Sequence, residues 1–292
     1  MTKELIENFK GLAKNSNKTA KLLENYMTLK QSSTENAYLL EKKLAELSKN
    51  TDRLPDFDHK KSLIAWIDQE KNALAKAKDD FRFKFGQELK ILLQSQNKSM
   101  RGQYPLLKIG LYTLKLDFEF GEAILYFGPE VEKLKSKIPL HPAKIFETIK
   151  KYDEELQITK FDPDEIFKAL YQAYKNRLTL TNKALGEKLL ITEVLSEFVI
   201  LKQSKQFFID PRKENFQEYP RPKLSYLLYL LKKTDLYQKG MRLHVATFDA
   251  TTDKLRSFWI PENDDGDGSY YSYISFEKIQ NTLRARALES ET

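Results

Sequence analysis

The stretch YTLKLDFEFGEAILYF, Tyr112–Phe127, decides the fold class. Tyr112, Leu114, Leu116, Phe118 and Phe120 alternate with Thr113, Lys115, Asp117 and Glu119. Strict period two puts the first set on a buried sheet face and the second in water. Gly121-Glu122 supplies a two-residue turn, and Ala123–Phe127 returns as the partner strand. The first hundred residues carry a helical period instead. The chain therefore reads as α+β, with helices gathered at the amino end and antiparallel hairpins in the body.

The helical part begins with a seam. Leu5, Phe9, Leu12, Ser16, Thr19, Leu23, Tyr26, Lys30, Ser33, Ala37, Leu40, Leu44 and Leu47 follow alternating steps of four and three. Most are apolar and no proline intervenes, which is the 3.5-residue repeat of a coiled coil. The seam is weakest at Lys30 and the QSSTEN that follows. One helix of this length would span roughly 65–70 Å at about 1.5 Å per residue. Pro55, within NTDRLPDFD (Asn50–Asp58), forbids continuation. A second helix is expected from about 58 to 99, with the stripe Leu63, Ile67, Leu74, Ala77, Phe81, Phe85, Leu89 and Leu92. Two such rods form a long antiparallel helical hairpin, a coiled-coil-like arm over 1–100. Pairing with another chain is the other way to cover their apolar edges.

SMRGQYP (Ser99–Pro105) marks the boundary to an α+β body over 101–292. Its expected parts are a hairpin plus helices (101–160), a helical or winged-helix-like part (161–234), and an antiparallel sheet with a closing helix (235–292). The pattern from Glu130 to about Tyr174 is helical, interrupted at Pro139 and Pro142. Asp162-Pro163-Asp164-Glu165 is a helix start, with Asp at the cap and Pro in the first turn. Further on, FVILK (198–202) and QFFID (206–210) read as a hairpin after helices, the elements of a winged helix. The helix near Leu189–Glu197 would be its reader, yet it carries Glu193 and Glu197 and offers no Arg, Asn or Gln for base edges. A protein contact or a plain helical subdomain fits that segment better. Three antiparallel strands near 243–248, 255–260 and 270–276 follow, then a helix in EKIQNTLRARALES (277–290).

Forty-nine Lys and Arg against 42 Asp and Glu give a net charge of +7. The excess lies in residues 1–100 (19 basic, 14 acidic) and 171–256 (16 basic, 9 acidic). Only ten basic residues are Arg. Lys is a hydrated point charge suited to phosphates, whereas Arg is the usual reader of guanine edges. Contact with a nucleic-acid backbone would therefore be sequence-independent and salt-sensitive. The candidate phosphate contacts are Lys84, Lys90, Lys98 and Arg101 at the base of the arm. A second group is Arg212, Lys213, Arg221, Lys223, Lys232 and Lys233, with Tyr219 to stack on a base. The competing reading makes this second stretch a core helix whose last-turn lysines complement its dipole.

The chain has no cysteine, which excludes disulfides, zinc–thiolate sites and thiol nucleophiles. No apolar run approaches the roughly 20 residues of a membrane span. The opening residues lack an apolar signal core, so a cytoplasmic protein is expected. GxxxxGK[ST], GxGxxG, HExxH and GxSxG are all absent. His59, His141 and His244 stand apart from one another in sequence. Asn263, Asp265, Asp267 and Gly268 match the first half of a calcium loop, but position 12 falls on Ile274, and strand-like flanks favour an acidic hairpin loop. No catalytic residue, metal or cofactor is assigned.

A helical arm beside an α+β body resembles, in outline alone, the accessory subunits of DNA-processing ATPases; no residue is carried over. The expected function is a non-catalytic accessory subunit of a nucleic-acid-associated assembly. Its partner would be a protein met through the N-terminal helices, either a coiled-coil ATPase or a second copy of the chain. The alternatives are a protein–protein adaptor or self-assembling scaffold without a nucleic-acid role, and a metal-dependent nuclease built on Asp117, Glu119 and Glu122 with Lys115.

Overall fold

A computed structural model of the chain describes residues 2–156, 161–238 and 240–277. The expected closing helix falls outside the described residues. The helical amino end comprises α1 (Thr2–Lys30), α2 (Ala37–Thr51) and α3 (Lys60–Gln94). Five strands follow: β1 (Met100–Gln103), β2 (Leu106–Ile109), β3 (Tyr112–Asp117), β4 (Glu122–Phe127) and β5 (Glu132–Pro139). Then come α4 (Pro142–Leu156), α5 (Pro163–Thr181), β6 (Leu189–Leu190), α6 (Ile191–Leu201), α7 (Lys205–Ile209) and α8 (Arg221–Lys232). The last described elements are α9 (Asp235–Gln238), β7 (Met241–Val245), α10 (Phe248–Thr251), β8 (Phe258–Pro261) and β9 (Gly268–Phe276). The chain is thus α+β, with a long N-terminal helix and antiparallel sheets, as its periodicities require. It divides into two compact units: Met1–Leu107, Leu114–Leu125 and Lys135–Thr148 form the first, and Lys108–Thr113, Tyr126–Leu134 and Ile149–Thr292 the second.

In the first unit the expected fifty-residue helix is two helices. The polar run Gln31–Asn36 turns the chain back, and the Asn36 side-chain amide closes the end of α1 by donating to the Leu29 carbonyl at 2.9 Å. Six consecutive polar residues offer nothing to bury, so continuing straight would forfeit the packing that pays for helix order. Instead α2 folds back on α1, and α3 folds back on α2. Leu22, Tyr26, Leu40, Leu44, Leu47, Ile67 and Leu74 form the shared core. Glu70 sits inside it, accepting from the Tyr26 hydroxyl at 2.6 Å and pairing with Lys30. Burial alone would raise the Glu70 pKa, but the Lys30 ammonium and the Tyr26 hydroxyl outweigh it and hold the carboxyl below its usual range. Trp66 meets the Tyr26 ring edge-on at 5.3 Å.

The three helices are unequal, with 29, 15 and 35 residues. Asn50, at the end of α2, donates to the Asn15 carbonyl at 2.9 Å and to the Thr19 hydroxyl at 2.7 Å. That point marks where α2 stops along α1. The earlier part of α1 runs on for about 20 Å at 1.5 Å per residue.

The first sheet has strand order β1-β2-β3-β4-β5. Strand β3 ends at Asp117, three residues before the expected limit. The Asp117 carboxylate accepts from the Phe120 N–H at 3.0 Å and opens a turn that Gly121, at φ +67°, completes. Phe118 still turns inward, onto Tyr38, Phe81, Phe85 and Tyr104. Phe120 does not, and is 70 % exposed. Residues 132–139 are strand rather than the expected helix. Lys133, Lys135 and Lys137 alternate there with Leu134, Ser136 and Ile138, a period-two pattern that a helical reading overlooks.

In the second unit β9 is the strand to which β6, β7 and β8 each pair antiparallel. Leu189 faces Ile274, Met241 faces Phe276, and Phe258 faces Tyr271. Helices α5, α6 and α8 pack on this sheet through Leu170, Tyr174, Val194, Phe198 and Leu228. Helix α5 starts as expected, with the Asp162 carboxylate accepting from the Asp164 and Glu165 N–H groups at 3.0 and 3.1 Å. The expected FVILK/QFFID hairpin is absent: both segments are helical, in α6 and α7. Ile191, Val194, Leu195 and Phe198 are all buried, a helical spacing, while Ile200 is exposed. Ser204 then caps α7 by accepting from the Phe207 N–H at 3.2 Å.

The Glu70 arrangement gives a first expected outcome. Glu70→Ala leaves the Tyr26 hydroxyl and Lys30 without their partner and should cost the first unit about 2–3 kcal/mol. Because the folded-state pKa of Glu70 is depressed, its contribution is present above the unfolded value of about 4.3 and is lost as pH falls through the folded value. Trp66 fluorescence during urea unfolding of a Trp259→Phe background reads this directly. Equal midpoints for wild type and Glu70→Ala would contradict it.

Candidate functional site

The basic stretch near α8 does not form one phosphate-facing patch. Arg221 opens α8 and points inward. Its Nε donates to Glu132 at 2.6 Å, and its terminal nitrogens donate to the Lys254 and Ser257 carbonyls at 3.1 and 2.8 Å. Its guanidinium also lies 4.4 Å from the Phe258 ring centroid. Lys254 completes the arrangement with a 3.0 Å pair to the same Glu132. Tyr219 is half-buried with its ring against Phe198, and Lys223 lies over that ring at 5.5 Å. At the far end of α8, Lys232 donates to the Tyr271 hydroxyl at 3.0 Å. Lys233 pairs with Asp264 at 3.2 Å and lies over the Tyr229 ring. Arg212 pairs with Asp210 at 2.6 Å, while Lys213 is exposed in a short turn. Most of these cations are therefore engaged within the second unit.

In the first unit Lys84 is shared between Glu35 and Glu88, at 3.5 and 4.0 Å. Lys90 is exposed on α3, Lys98 is half-buried after its end, and Arg101 is exposed on β1. These four follow one another from helix to strand.

The acidic loop between β8 and β9 is a docked turn. The Asn263 side-chain oxygen accepts from the Asp265 and Asp267 N–H groups, both at 3.1 Å. Asp264 accepts from the Tyr229 hydroxyl at 2.7 Å. That hydroxyl, with Lys233 adding to it against the opposing effect of burial, holds the Asp264 carboxyl below the usual carboxylate range. Gly266 has φ +82°, and a Cβ there would lie 2.1 Å from the Gly110 carbonyl oxygen. Lys108 approaches Asp267 at 3.9 Å. Among the described residues no group of three or more His, Asp or Glu could hold a metal ion.

The histidines serve separate places. His244 Nε2 lies 2.9 Å from the Ser275 hydroxyl, and burial, then Lys188, lowers its pKa. His59 and His141 line two different cavities. Of the nuclease candidates, Asp117 is spent on its own turn, while Glu119 is exposed and Glu122 half-buried at the start of β4.

One recess among the described residues belongs wholly to the first unit. An apolar groove of about 630 Å³ lies between α1, the α2–α3 turn and the start of α3. Ser16, Ala20 and Leu23 form one wall; Leu54, Phe57, Leu63 and Trp66 form the rest. On the same helix the overrun beyond α2 carries Leu5, Ile6 and Phe9, which are 49, 48 and 69 % exposed. The seam signalled Leu5 and Phe9; the groove was hidden, because it needs the α1–α2 turn that the seam passed over. The second unit also exposes apolar side chains, Phe248 on α10 and Leu255 after it above all. No periodicity marks either of them. No protein-family model, curated protein or solved structure matches the chain.

Two substitutions check the internal roles. Arg221→Ala should destabilise the second unit by about 2 kcal/mol, since Glu132 loses its closest cation. Gly266→Ala should cost at least about 2 kcal/mol through the left-handed backbone and the clash with Gly110. Both are read by Trp259 fluorescence in a Trp66→Phe background. Unchanged midpoints would mean that neither Arg221 nor the loop is built in as described.

Proposed function

We propose that the chain is a non-catalytic docking protein that works by protein–protein contact through its helical unit. One observation carries the reading: α1 outruns α2 and exposes Leu5, Ile6 and Phe9 in a row. A helix keeps an uncovered apolar stripe at a cost in solubility, so such stripes mark contact surfaces. The adjoining groove extends the same apolar surface. Within this reading the arm is a coiled-coil-like element that a companion helix completes.

A second reading, contact with a nucleic-acid backbone, is favoured by the topology of the second unit. Its order α5, β6, α6, α7, α8, α9, β7, α10, β8, β9, with β6 and β7 flanking β9 and β8 also paired to it, contains the helix, strand, helix, helix, strand, strand succession of a winged helix among additional elements, which supports this reading. Here α8, rather than 189–197, would take the reader's place. Yet every side chain of α8 is buried or half-buried, and β8 packs across it. A groove-reading helix needs a bare face. Any phosphate contact would fall to exposed lysines such as Lys213 and those of β5, without sequence preference. Protein docking is therefore the leading reading.

The test is a quantitative affinity capture from the source cell, wild type against a Leu5→Glu/Phe9→Glu variant. Proteins bound by the wild type should fall at least about tenfold with the variant. Equal capture by both would remove the reading. For the second reading, a random duplex at 50 mM and 200 mM salt should lose more than about tenfold in affinity if six or more phosphates are met, and no binding at the lower salt would end it.

A further inference from the structure

The overrun of α1 and the groove beside it belong to the same unit, and each is shaped to fill the other. Going outward from the Leu12–Ala13 peptide along α1, large side chains stand on one side and small ones on the other. Leu5 and Phe9 are matched, at equal distances from that centre, by Ala20 and Ser16. At 100° per residue all of these lie on one face. Ser16 and Ala20 are the small residues that form the α1 wall of the groove, and both are exposed. Charge is mixed on both sides: the overrun Thr2–Lys14 carries Lys3, Lys10 and Lys14 against Glu4 and Glu7, and the mouth of the groove carries Asp52, Asp56 and Asp58 against Arg53, Lys60 and Lys61, with Asp56 paired to Lys60 at 3.6 Å.

We propose that the groove is filled by the α1 overrun of a second copy of this chain, the two α1 helices pairing antiparallel about a twofold axis near Leu12–Ala13. This rests on the docking reading above and names its partner. The arrangement is isologous, so the contact is made twice. Leu5 and Phe9 of each copy seat over Ala20 and Ser16 of the other, against Leu54, Phe57, Leu63 and Trp66. The contact, made twice, must bury on the order of 1,200–2,000 Å² to hold a specific dimer.

The absence of native cysteine makes cross-linking a clean test. Leu5→Cys and Ala20→Cys, each made in the full-length chain, are mixed and oxidised. The pairing yields a covalent dimer joining the two different variants. A chain carrying both substitutions cannot bridge within itself, because those positions lie about 22 Å apart along one helix. Sedimentation should show a dimer for the wild type and a monomer for Phe9→Glu, with equal helix content by circular dichroism. A wild type that stays monomeric at micromolar concentration overturns the proposal. So does a dimer that survives Phe9→Glu, or one that Leu5→Cys cross-links alone, which is the mark of a parallel pair. A monomer whose cellular partners still depend on Leu5 and Phe9 would remove the second copy while leaving the docking reading standing.

Discussion

The first unit is governed by a mismatch of length. Helix α2, with 15 residues, lies between two helices about twice as long and cannot cover them. Where it ends, at Asn50 against Asn15 and Thr19, the buried seam of α1 becomes an exposed stripe. The same chemistry that closes the core from Thr19 to Tyr26 therefore continues into solvent toward the amino end. Burial of apolar surface contributes about 25 cal/mol per Å², so a row of Leu, Ile and Phe left in water is a standing drive toward association. Both the groove and its proposed occupant follow from where α2 stops.

Polar groups inside the units fix geometry. Glu70 is tied to Tyr26 and Lys30, which sets the register of α1 on α3. A charge buried in a helical seam gains little net stability but penalises every other alignment. Arg221 plays a comparable part in the second unit, fastening the start of α8 to Glu132 and to the chain around Lys254 and Ser257. The acidic loop is fastened through Tyr229, Lys233 and the close approach of Gly266 to Gly110. Two features that resembled functional motifs in the linear sequence, Arg221 and the acidic loop, are thus joints of the fold.

Local pattern made much of this legible. Period two in Tyr112–Phe118 located β3, aromatic and β-branched runs located β7, β8 and β9, and Asp162-Pro163 located the start of α5. The misreadings have physical causes. The seam could be followed across Lys30–Ser33 on spacing alone, but spacing does not weigh six polar residues with nothing to pack against. FVILK reads equally well as strand or helix, and the buried positions of α6 decide it only once β9 is in place. Lysines at 133, 135 and 137 resembled a solvated helix face because alternation with Leu134 and Ile138 is short. Site residues were harder still. Charge at a position says nothing of its partner, and Arg221 became structural only when Glu132, 89 residues away, arrived beside it. Glu70 left no signal beyond a polar residue between Ile67 and Leu74.

Concentration-dependent hydrogen exchange along α1 tests the central claim most directly. The account requires amides of Leu5–Lys14 to be protected at high protein concentration and to exchange quickly on dilution, while those of Leu22–Leu29 stay protected throughout. Fast exchange of the overrun at every concentration, with or without a bound partner, would contradict it. Protection that ignores dilution would contradict it equally, since the stripe would then be covered by its own chain.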